Sequence, residues 1–222
     1  MQPGNAAIAL FGVESIFTAE FVETLLRLGF QIGPAIQTGA PEWDMSGLDP
    51  VTADDLQSEQ LELPVAIPWV TPGLKWQKHR EACGLGFSRF PAIIDSYSSL
   101  ARSAAVGDGV FLNGGATVGA FAVLETFALL NRNASIGHHS RLGAFSSIGP
   151  GATVAARCTI GRGTMIGSGA VIAPGVTIGA NCLVTAGAVV TKSAPDNVMI
   201  AGNPGRVIKS GYGGYKDAEV PE

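Results

Sequence analysis

Two adjacent imidazoles are the side chains of this sequence best suited to acid–base chemistry. His138 and His139 stand in the segment Ala-Ser-Ile-Gly-His-His-Ser-Arg-Leu-Gly, residues 134–143, and the chain of 222 residues has only three histidines. An imidazole titrates near neutral pH, so it can remove a proton from an attacking amine or hydroxyl group. No Asp or Glu lies between Thr126 and Pro195. A general base at this point would therefore have a second histidine, and no carboxylate, as its neighbour in sequence.

The composition of the chain excludes several functional classes. Hydrophobic residues make up 46% of it, charged residues 14%, and the formal net charge is −4, which favours a large core and argues against a nucleic-acid partner. No apolar stretch is long enough to cross a bilayer, and the N-terminus lacks the basic region of a signal peptide. Cys83, Cys158 and Cys182 are scattered without metal-ligand spacing. They predict reduced thiols in a cytoplasmic protein and no metal site.

A repeat of six residues runs from Ala104 to Ser193 without an insertion. The third place is Val, Leu or Ile in all fifteen hexads, and the first place is Ala, Ser, Thr, Cys or Val in all fifteen. The fourth place is Gly in eight hexads and Asn in two, residue types that tolerate unusual turn dihedrals. A short strand followed by a turn fits this period, whereas a helix or an ordinary strand does not. Three hexads make a triangular coil of 18 residues, so the repeat predicts five coils, and Ser98–Ser103 adds a sixteenth hexad.

The residues before the repeat predict a Rossmann-like α/β domain. Apolar strands alternate with helices there, which is typical of βαβ units with a parallel sheet. His79 lies among Lys75, Lys78 and Arg80 and is expected to face solvent. The predicted strands are Ala7–Val13, Gly29–Ile36 and Leu63–Trp69, and the predicted helices are Phe17–Leu28 and Pro72–Cys83.

The turn after the first predicted strand is where such a domain would bind a nucleotide phosphate. It reads Gly-Val-Glu-Ser-Ile-Phe over residues 12–17, with one glycine and an acidic residue. Gly12 and Ser15 are the candidate substrate-binding residues of this turn. The alternative is a turn that only shapes the wall of a site.

The hexads resemble the hexapeptide-repeat, left-handed β-helix acyltransferases over roughly residues 91–209. With the α/β front, the resemblance narrows to the PglD and NeuD family of sugar acetyltransferases. It is carried by Leu130-Asn-Arg-Asn-Ala-Ser-Ile-Gly-His138, Leu142-Gly-Ala-Phe145 and Ala201-Gly-Asn-Pro-Gly-Arg206. The expected organisation is a Rossmann-like domain over residues 1–90 and a left-handed parallel β-helix over residues 91–209. Residues 210–222 have little to bury and predict a flexible tail.

The resemblance implies an acetyl-CoA-dependent N-acetyltransferase that acts on a nucleotide-linked aminosugar. It also implies a homotrimer with active sites in the grooves between neighbouring prisms. His138 matches the catalytic histidine of that family, and His139 stands where the family usually has Asp or Glu. The residues that match the acetyl-CoA groove are Ser147, Ala156, Ser168 and Ala186, of which Ser147 replaces a second histidine, and Asn131 matches a residue near the acceptor sugar.

Three other functions compete with this interpretation. A sugar O-acetyltransferase would use the same base on a hydroxyl group. A non-catalytic trimeric scaffold is favoured by the missing carboxylate and the glycine-poor turn. A γ-type carbonic anhydrase needs three histidines around one zinc ion, and only His138 and His139 lie in the repeat, so this reading is nearly excluded.

Overall fold

The front part of the chain folds as a small α/β domain. The computed structural model describes residues 6–45 and 47–221. The front elements are strand β1 (Ala7–Phe11), helix α1 (Thr18–Arg27), strand β2 (Gln31–Ile36), a 3-10 helix (Ala53–Asp55), helix α2 (Ser58–Leu61), strand β3 (Val65–Ala66) and helix α3 (Pro72–Leu85). The three strands pair in parallel in the order β2–β1–β3. This is the predicted βαβ arrangement, with a third strand shorter than expected.

Helix α1 shows why this segment folds as the sequence predicts. Its apolar residues recur on one side, where Phe21 and Leu25 are buried, as expected for an amphipathic helix. Gly29 follows the helix at a φ of 78°, a left-handed value that glycine adopts without steric cost. The ring of Phe21 stacks on Phe111 of the repeat, with 3.9 Å between centroids. Helix α1 therefore lies directly on the second half of the chain.

The hexads fold into a three-sided prism of parallel two-residue strands, the predicted left-handed β-helix. Each strand occupies the second and third places of a hexad and pairs with the strand 18 residues later, as Ser135 and Ile136 do with Thr153 and Val154. The prism begins one hexad before the sixteen that were predicted, at Ile93–Ile94.

The prism has three faces, which we number from the face that carries the front domain. Face 1 consists of β4 (Ile93–Ile94), β7 (Phe111–Leu112), β10 (Leu129–Leu130), β13 (Ser147–Ile148), β16 (Met165–Ile166), β19 (Leu183–Val184), β21 (Val198–Ala201) and the antiparallel β22 (Arg206–Ser210). Face 2 consists of β5 (Ser99–Leu100), β8 (Thr117–Val118), β11 (Ser135–Ile136), β14 (Thr153–Val154), β17 (Val171–Ile172) and β20 (Val189–Val190). Face 3 consists of β6 (Ala105–Val106), β9 (Val123–Leu124), β12 (Arg141–Leu142), β15 (Thr159–Ile160) and β18 (Thr177–Ile178).

The interior of the prism explains the two invariant hexad places. Aliphatic third-place residues such as Leu142 and Ile160 are completely buried there, and small first-place residues such as Ala134 fill the remaining space. Cys158 and Cys182 occupy first places and are buried free thiols, as predicted. Burial raises the pKa of both thiols, so they remain protonated and unreactive.

Three corners join the faces, and backbone hydrogen bonds link each corner to the next coil. Non-glycine residues take left-handed φ values at several of these turns, at a cost of about 1–3 kcal/mol each. The corners are the histidine corner between faces 2 and 3 (residues 120–121, 138–139 and 156–157), the helix corner between faces 3 and 1 (residues 126–127, 144–145 and 162–163), and the asparagine corner between faces 1 and 2 (residues 113–116, 131–134, 149–152, 167–168 and 185–186).

The C-terminal segment is docked, and the expectation that it has little to bury is wrong. Tyr212, Ala218 and Val220 are buried. The Asn181 side chain accepts a hydrogen bond from the Val220 N–H at 2.9 Å and donates one to the Val220 carbonyl at 3.1 Å. A Cβ on Gly73 would clash with the backbone of Ala218. The segment therefore packs between helix α3 and the helix corner.

Candidate active site

The two histidines project from the histidine corner, between β11 and β12. His138 and His139 are both exposed, and the His139 N–H donates to the Ala120 carbonyl of the previous coil at 3.0 Å. Glycine is required just before them, because a Cβ on Gly137 would lie 2.5 Å from the backbone nitrogen of Ala156. His139 itself has a left-handed φ of 57°. The fourth-place glycine therefore allows the close coil spacing, and the tight turn points both rings outward.

The two imidazoles form a hydrogen-bonded pair. The Nδ1 atoms of His138 and His139 are 3.0 Å apart, with the rings almost perpendicular. One Nδ1 must carry the proton and the other must accept it, because two lone pairs or two N–H groups would repel. A proton on His138 Nδ1 leaves its Nε2 free to act as a base, and the opposite assignment blocks Nε2. The tautomer of this pair therefore decides whether His138 can remove a proton.

The residues around the pair supply an aromatic ring and a cation. The Phe121 ring lies one coil before His139, with 5.0 Å between ring centroids, and Arg157 lies one coil after it. Among the described residues, neither imidazole forms an ion pair with a carboxylate. The two acids that pair with arginines of the prism's turns and third face are Glu20, with Arg132, and Glu125, with Arg141. The described part of the chain thus provides no carboxylate partner for the histidine pair.

The four residues that match the acetyl-CoA groove lie in three separate places. Ala156 follows His138 by one coil on the histidine corner, and it is small and half-buried. Ser168 and Ala186 stack on the asparagine corner. Ser147 points outward from β13 on face 1 and is completely covered. Within one chain, therefore, only Ala156 is brought beside the histidine pair.

Lys75 covers Ser147, and no feature of the sequence predicts this role for the lysine. Its Nζ donates to Ser147 Oγ at 3.0 Å and to the Ser146 carbonyl at 3.4 Å. Burial without a carboxylate partner lowers the pKa of Lys75 to about 7. No local signal distinguishes this lysine from Lys78, which pairs with Glu14 and Glu81 in the front domain. Lys75 became recognisable only once the fold brought helix α3 onto face 1.

His79, expected in solvent, is half-buried on the same side of helix α3. Its ring packs against Phe127 and Phe145 of the helix corner, at centroid distances of 4.6 and 5.6 Å. Desolvation and, to a smaller extent, the neighbouring Arg80 guanidinium lower the pKa of His79. The prediction of a solvent-facing histidine is therefore wrong, because the prism covers this turn of the helix.

The turn after β1 is filled by the protein's own groups. Gly12 and Ser15 are buried, and the Gly12 carbonyl accepts a 2.7 Å hydrogen bond from the Trp69 indole. The Glu14 carboxylate accepts hydrogen bonds from the backbone and the hydroxyl of Thr38 at 3.1 and 2.7 Å. A phosphate at this turn would have to compete with the Glu14 carboxylate, which already pairs with Lys78 at 3.5 Å. Binding a nucleotide at Gly12 and Ser15 therefore requires these contacts to rearrange.

Asn131 lies on the asparagine corner beneath helix α1. Its Oδ1 accepts a hydrogen bond from Asn113 Nδ2 at 3.1 Å and one from the Arg132 N–H at 2.8 Å. Asn113 Nδ2 also donates to Glu20 at 3.0 Å. Asn131 is buried in this ladder. Its visible contacts therefore join helix α1 to the prism.

Neither a metal centre nor a membrane span is found in the described part of the chain. Residues 6–45 and 47–221 contain no group of three or more His, Cys, Asp or Glu side chains that could hold a metal ion. No helix within those ranges is long and apolar enough to span a membrane.

Comparisons with known proteins give the enzyme class. The model of the bacterial transferase hexapeptide (six repeats) matches residues 157–192. The acetyltransferase domain of PglB from Neisseria gonorrhoeae FA1090, solved with acetyl coenzyme A, is 27% identical with a TM-score of 0.82, over 92% of this chain and 100% of that one. PerB from Caulobacter crescentus, solved with CoA and GDP-perosamine, is 25% identical with a TM-score of 0.81, over 92% of this chain and 98% of that one. WeeI from Acinetobacter baumannii AYE, 20% identical over 92% of this chain and 100% of that one, shares the fold with a TM-score of 0.79. No curated protein sequence matches the chain.

The chain is an acyltransferase, as predicted, and its residues 157–192 match the hexapeptide-repeat model. The structures that it resembles are those of sugar N-acetyltransferases. The narrower resemblance to PglD and NeuD stays a prediction.

Proposed function

We propose that the chain is an acetyl-CoA-dependent N-acetyltransferase that acts on a nucleotide-linked aminosugar, with His138 as the general base. The observation that carries this proposal is the exposed His138–His139 pair, joined Nδ1 to Nδ1 at 3.0 Å. The prism around it resembles two enzymes solved with acetyl-CoA or CoA. One of these was solved with GDP-perosamine as well, which supports a nucleotide-linked aminosugar as the acceptor class.

The proposed reaction is a direct transfer in a ternary complex. The acceptor amine attacks the thioester carbon and its proton passes to His138 Nε2. The carbon–sulfur bond then breaks, and His138 Nε2 gives this proton to the departing thiolate, so that the products are the amide, the CoA thiol and neutral His138. His138 must enter this step with its proton on Nδ1, donated to His139 Nδ1. His139 then carries its own proton on Nε2 and accepts at Nδ1. It fixes the tautomer without the negative charge that a carboxylate would add.

The same geometry supports a homotrimer. Ala156 accompanies His138 on the histidine corner, while Ser168 and Ala186 lie on the asparagine corner, on the far side of face 2. A groove between two copies of the chain would bring both sets to one coenzyme. Small residues at these positions leave room for an extended ligand.

We further propose that the enzyme acts in the cytoplasm. Cys158 and Cys182 are buried as free thiols, the usual state of cysteine in a reducing compartment.

The proposal is tested by thiol release from acetyl-CoA with a panel of UDP-, GDP- and dTDP-linked aminosugars. His138→Ala is expected to lower turnover at least about a hundredfold, the usual contribution of a general base. Tyr97→Ala is the matched control, because Tyr97 is an exposed aromatic residue on the first coil, away from the pair. Unchanged turnover in His138→Ala would move the base elsewhere, and no turnover or acetyl-CoA binding in the wild type would favour a scaffold.

A sugar hydroxyl is the second candidate acceptor, and the closed turn after β1 favours it. The Glu14 carboxylate and the buried Gly12 and Ser15 leave no ready phosphate site at this turn. An O-acetyltransferase acting on a sugar without a nucleotide needs no such site. Thiol release with free sugars and sialic acids, but with no nucleotide-linked amine, would select this alternative.

A further inference from the structure

Bulky residues with a left-handed backbone conformation occur at only two of the three corners of the described prism. The asparagine corner has glycine or asparagine at these positions, such as Gly115 and Asn133. The helix corner has Phe127 and Phe145, which stack on each other with 5.0 Å between centroids and are buried under helix α3. Packing against the front domain therefore accounts for the bulky side chains of that corner.

The histidine corner has bulky left-handed residues that no described element covers. Phe121, His139 and Arg157 have φ values of 57–58° in three successive coils, and all three side chains are exposed. Phe121 is 60% exposed, although it has neither a charge nor a polar atom in its side chain. Residues held in sparsely populated conformations cluster at functional sites, and this corner carries the histidine pair.

Phe121 reaches the histidine pair through His139. The Phe121 ring lies 5.0 Å from the His139 ring at an interplanar angle of 36°, within the range of favourable aromatic contacts. Its own backbone is fixed, because the Phe121 N–H donates to Ser103 Oγ at 3.1 Å. The aromatic ring thus limits how the His139 ring can turn.

Among the described residues, the His139 ring has one further hydrogen-bond or ring partner, His138, which its Nδ1 contacts. The backbone bond to Ala120 fixes the position of the His139 backbone. Removing the Phe121 ring would leave the contact with His138 as the only one of these that orients the His139 ring. The Nδ1–Nδ1 bond, and with it the tautomer of His138, would then be held less firmly.

We propose that Phe121 is a positioning residue that orients His139 and, through it, holds the proton of His138 on Nδ1. The inference rests on the proposed function, because the orientation matters for turnover only if His138 is the base. Phe121 itself takes no part in bond making or proton transfer.

The test compares Phe121→Leu and Phe121→Tyr with the control Tyr97→Leu in the full-length protein. Phe121→Leu keeps an apolar side chain without the ring and is expected to lower kcat about tenfold or more, as expected for a misaligned base. The KM for acetyl-CoA should stay within about twofold, because the base takes no part in coenzyme binding. Phe121→Tyr restores the ring and should restore kcat, and Tyr97→Leu should match the wild type.

Nitrogen-15 NMR of histidine-labelled protein reads the tautomer without turnover, and three histidines give a simple spectrum. The wild type is expected to show His138 protonated at Nδ1, and Phe121→Leu to show a mixture of tautomers. An unchanged kcat and an unchanged spectrum in Phe121→Leu would overturn the inference while leaving the proposed function intact. Turnover that survives His138→Ala would instead overturn the proposed function, whatever the spectra show.

Discussion

Helices α1 and α3 both dock the front domain on the prism, but helix α1 does so with ion-paired side chains and helix α3 with basic side chains that lack an acidic partner in the described part of the chain. Helix α1 uses charge pairs: Arg27 with Asp95, and Glu20 with Arg132 at 2.8 Å. Helix α3 presents two basic side chains, Lys75 and His79, which form no ion pair in the described part of the chain.

The difference makes the helix α3 side of the domain interface sensitive to pH. Lys75 and His79 must be desolvated to dock, and desolvation lowers the pKa of both groups because it disfavours their protonated forms. The helix α3 side should therefore weaken as pH falls.

The largest expected effect is the loss of the Asp95 carboxylate on the helix α1 side. Asp95 is buried, pairs with Arg27 and accepts hydrogen bonds from Thr24 Oγ1 at 3.0 Å and the Tyr97 N–H at 2.8 Å. Asp95→Ala should lower the free energy of unfolding by about 3–5 kcal/mol, since it breaks a buried pair. Urea denaturation at pH 7 measures it.

A pair whose carboxylate is exposed provides the matched control for Asp95. Lys78 and Glu81 lie one turn apart on helix α3 at 2.8 Å, and Glu81→Ala should cost less than about 1 kcal/mol. If both substitutions cost the same, the buried pair does not anchor helix α1 as described.

The second-largest effect is a gain in the free energy of unfolding as pH rises, and it comes from Lys75. Its pKa is about 7 in the folded chain, against 10.5 for an ordinary lysine. The unfolded chain therefore binds more protons between these pH values, and stability rises with pH. The wild type should gain about 2 kcal/mol in the free energy of unfolding between pH 7 and pH 9 from this group. Lys75→Met should remove that gain, as followed by denaturation at the two pH values.

An exposed lysine serves as the control for Lys75→Met. Lys192 is exposed, and Lys192→Met should leave the pH dependence unchanged. A Lys75→Met protein that keeps the full rise between pH 7 and pH 9 would show that Lys75 is solvated in solution.

The smallest effect is expected for His79. Because its pKa is lowered in the folded chain, the unfolded chain takes up the proton first as pH falls below the usual histidine value of 6.5. The folded state then loses stability until its own lowered pKa is reached. His79→Phe should keep the aromatic packing and flatten the decline in thermal midpoint between pH 7 and pH 5. An equally steep decline in the variant would remove His79 from this account.

The sequence predicted the contacts within each half of the molecule better than those between the halves. The invariant hexad places predicted the strands, and Cys158 and Cys182 stand at first places, which face the interior of the prism. Period alone carries no information on what covers the outer side of a face. Ser147 matched a coenzyme position by resemblance, yet it is buried by Lys75.

The missed features all depend on contacts that are distant in sequence. Lys75 and Ser147 are 72 residues apart, and Asn181 and Val220 are 39 apart. In the sequence, Lys75 and His79 belong to a basic run that is typical of a solvated helix. Their burial depends on the angle at which helix α3 meets the prism, which no local pattern encodes.

The uninterrupted hexads also restrict how this protein can change length during evolution. Inserting 18 residues into the prism would add one coil and leave every downstream side chain at its original corner. Inserting six would rotate everything downstream by one face. An insertion of six before His138 would carry the histidines from their corner to the one covered by helix α3. The number of residues that precede His138 in the repeat therefore determines where on the prism the histidine pair lies.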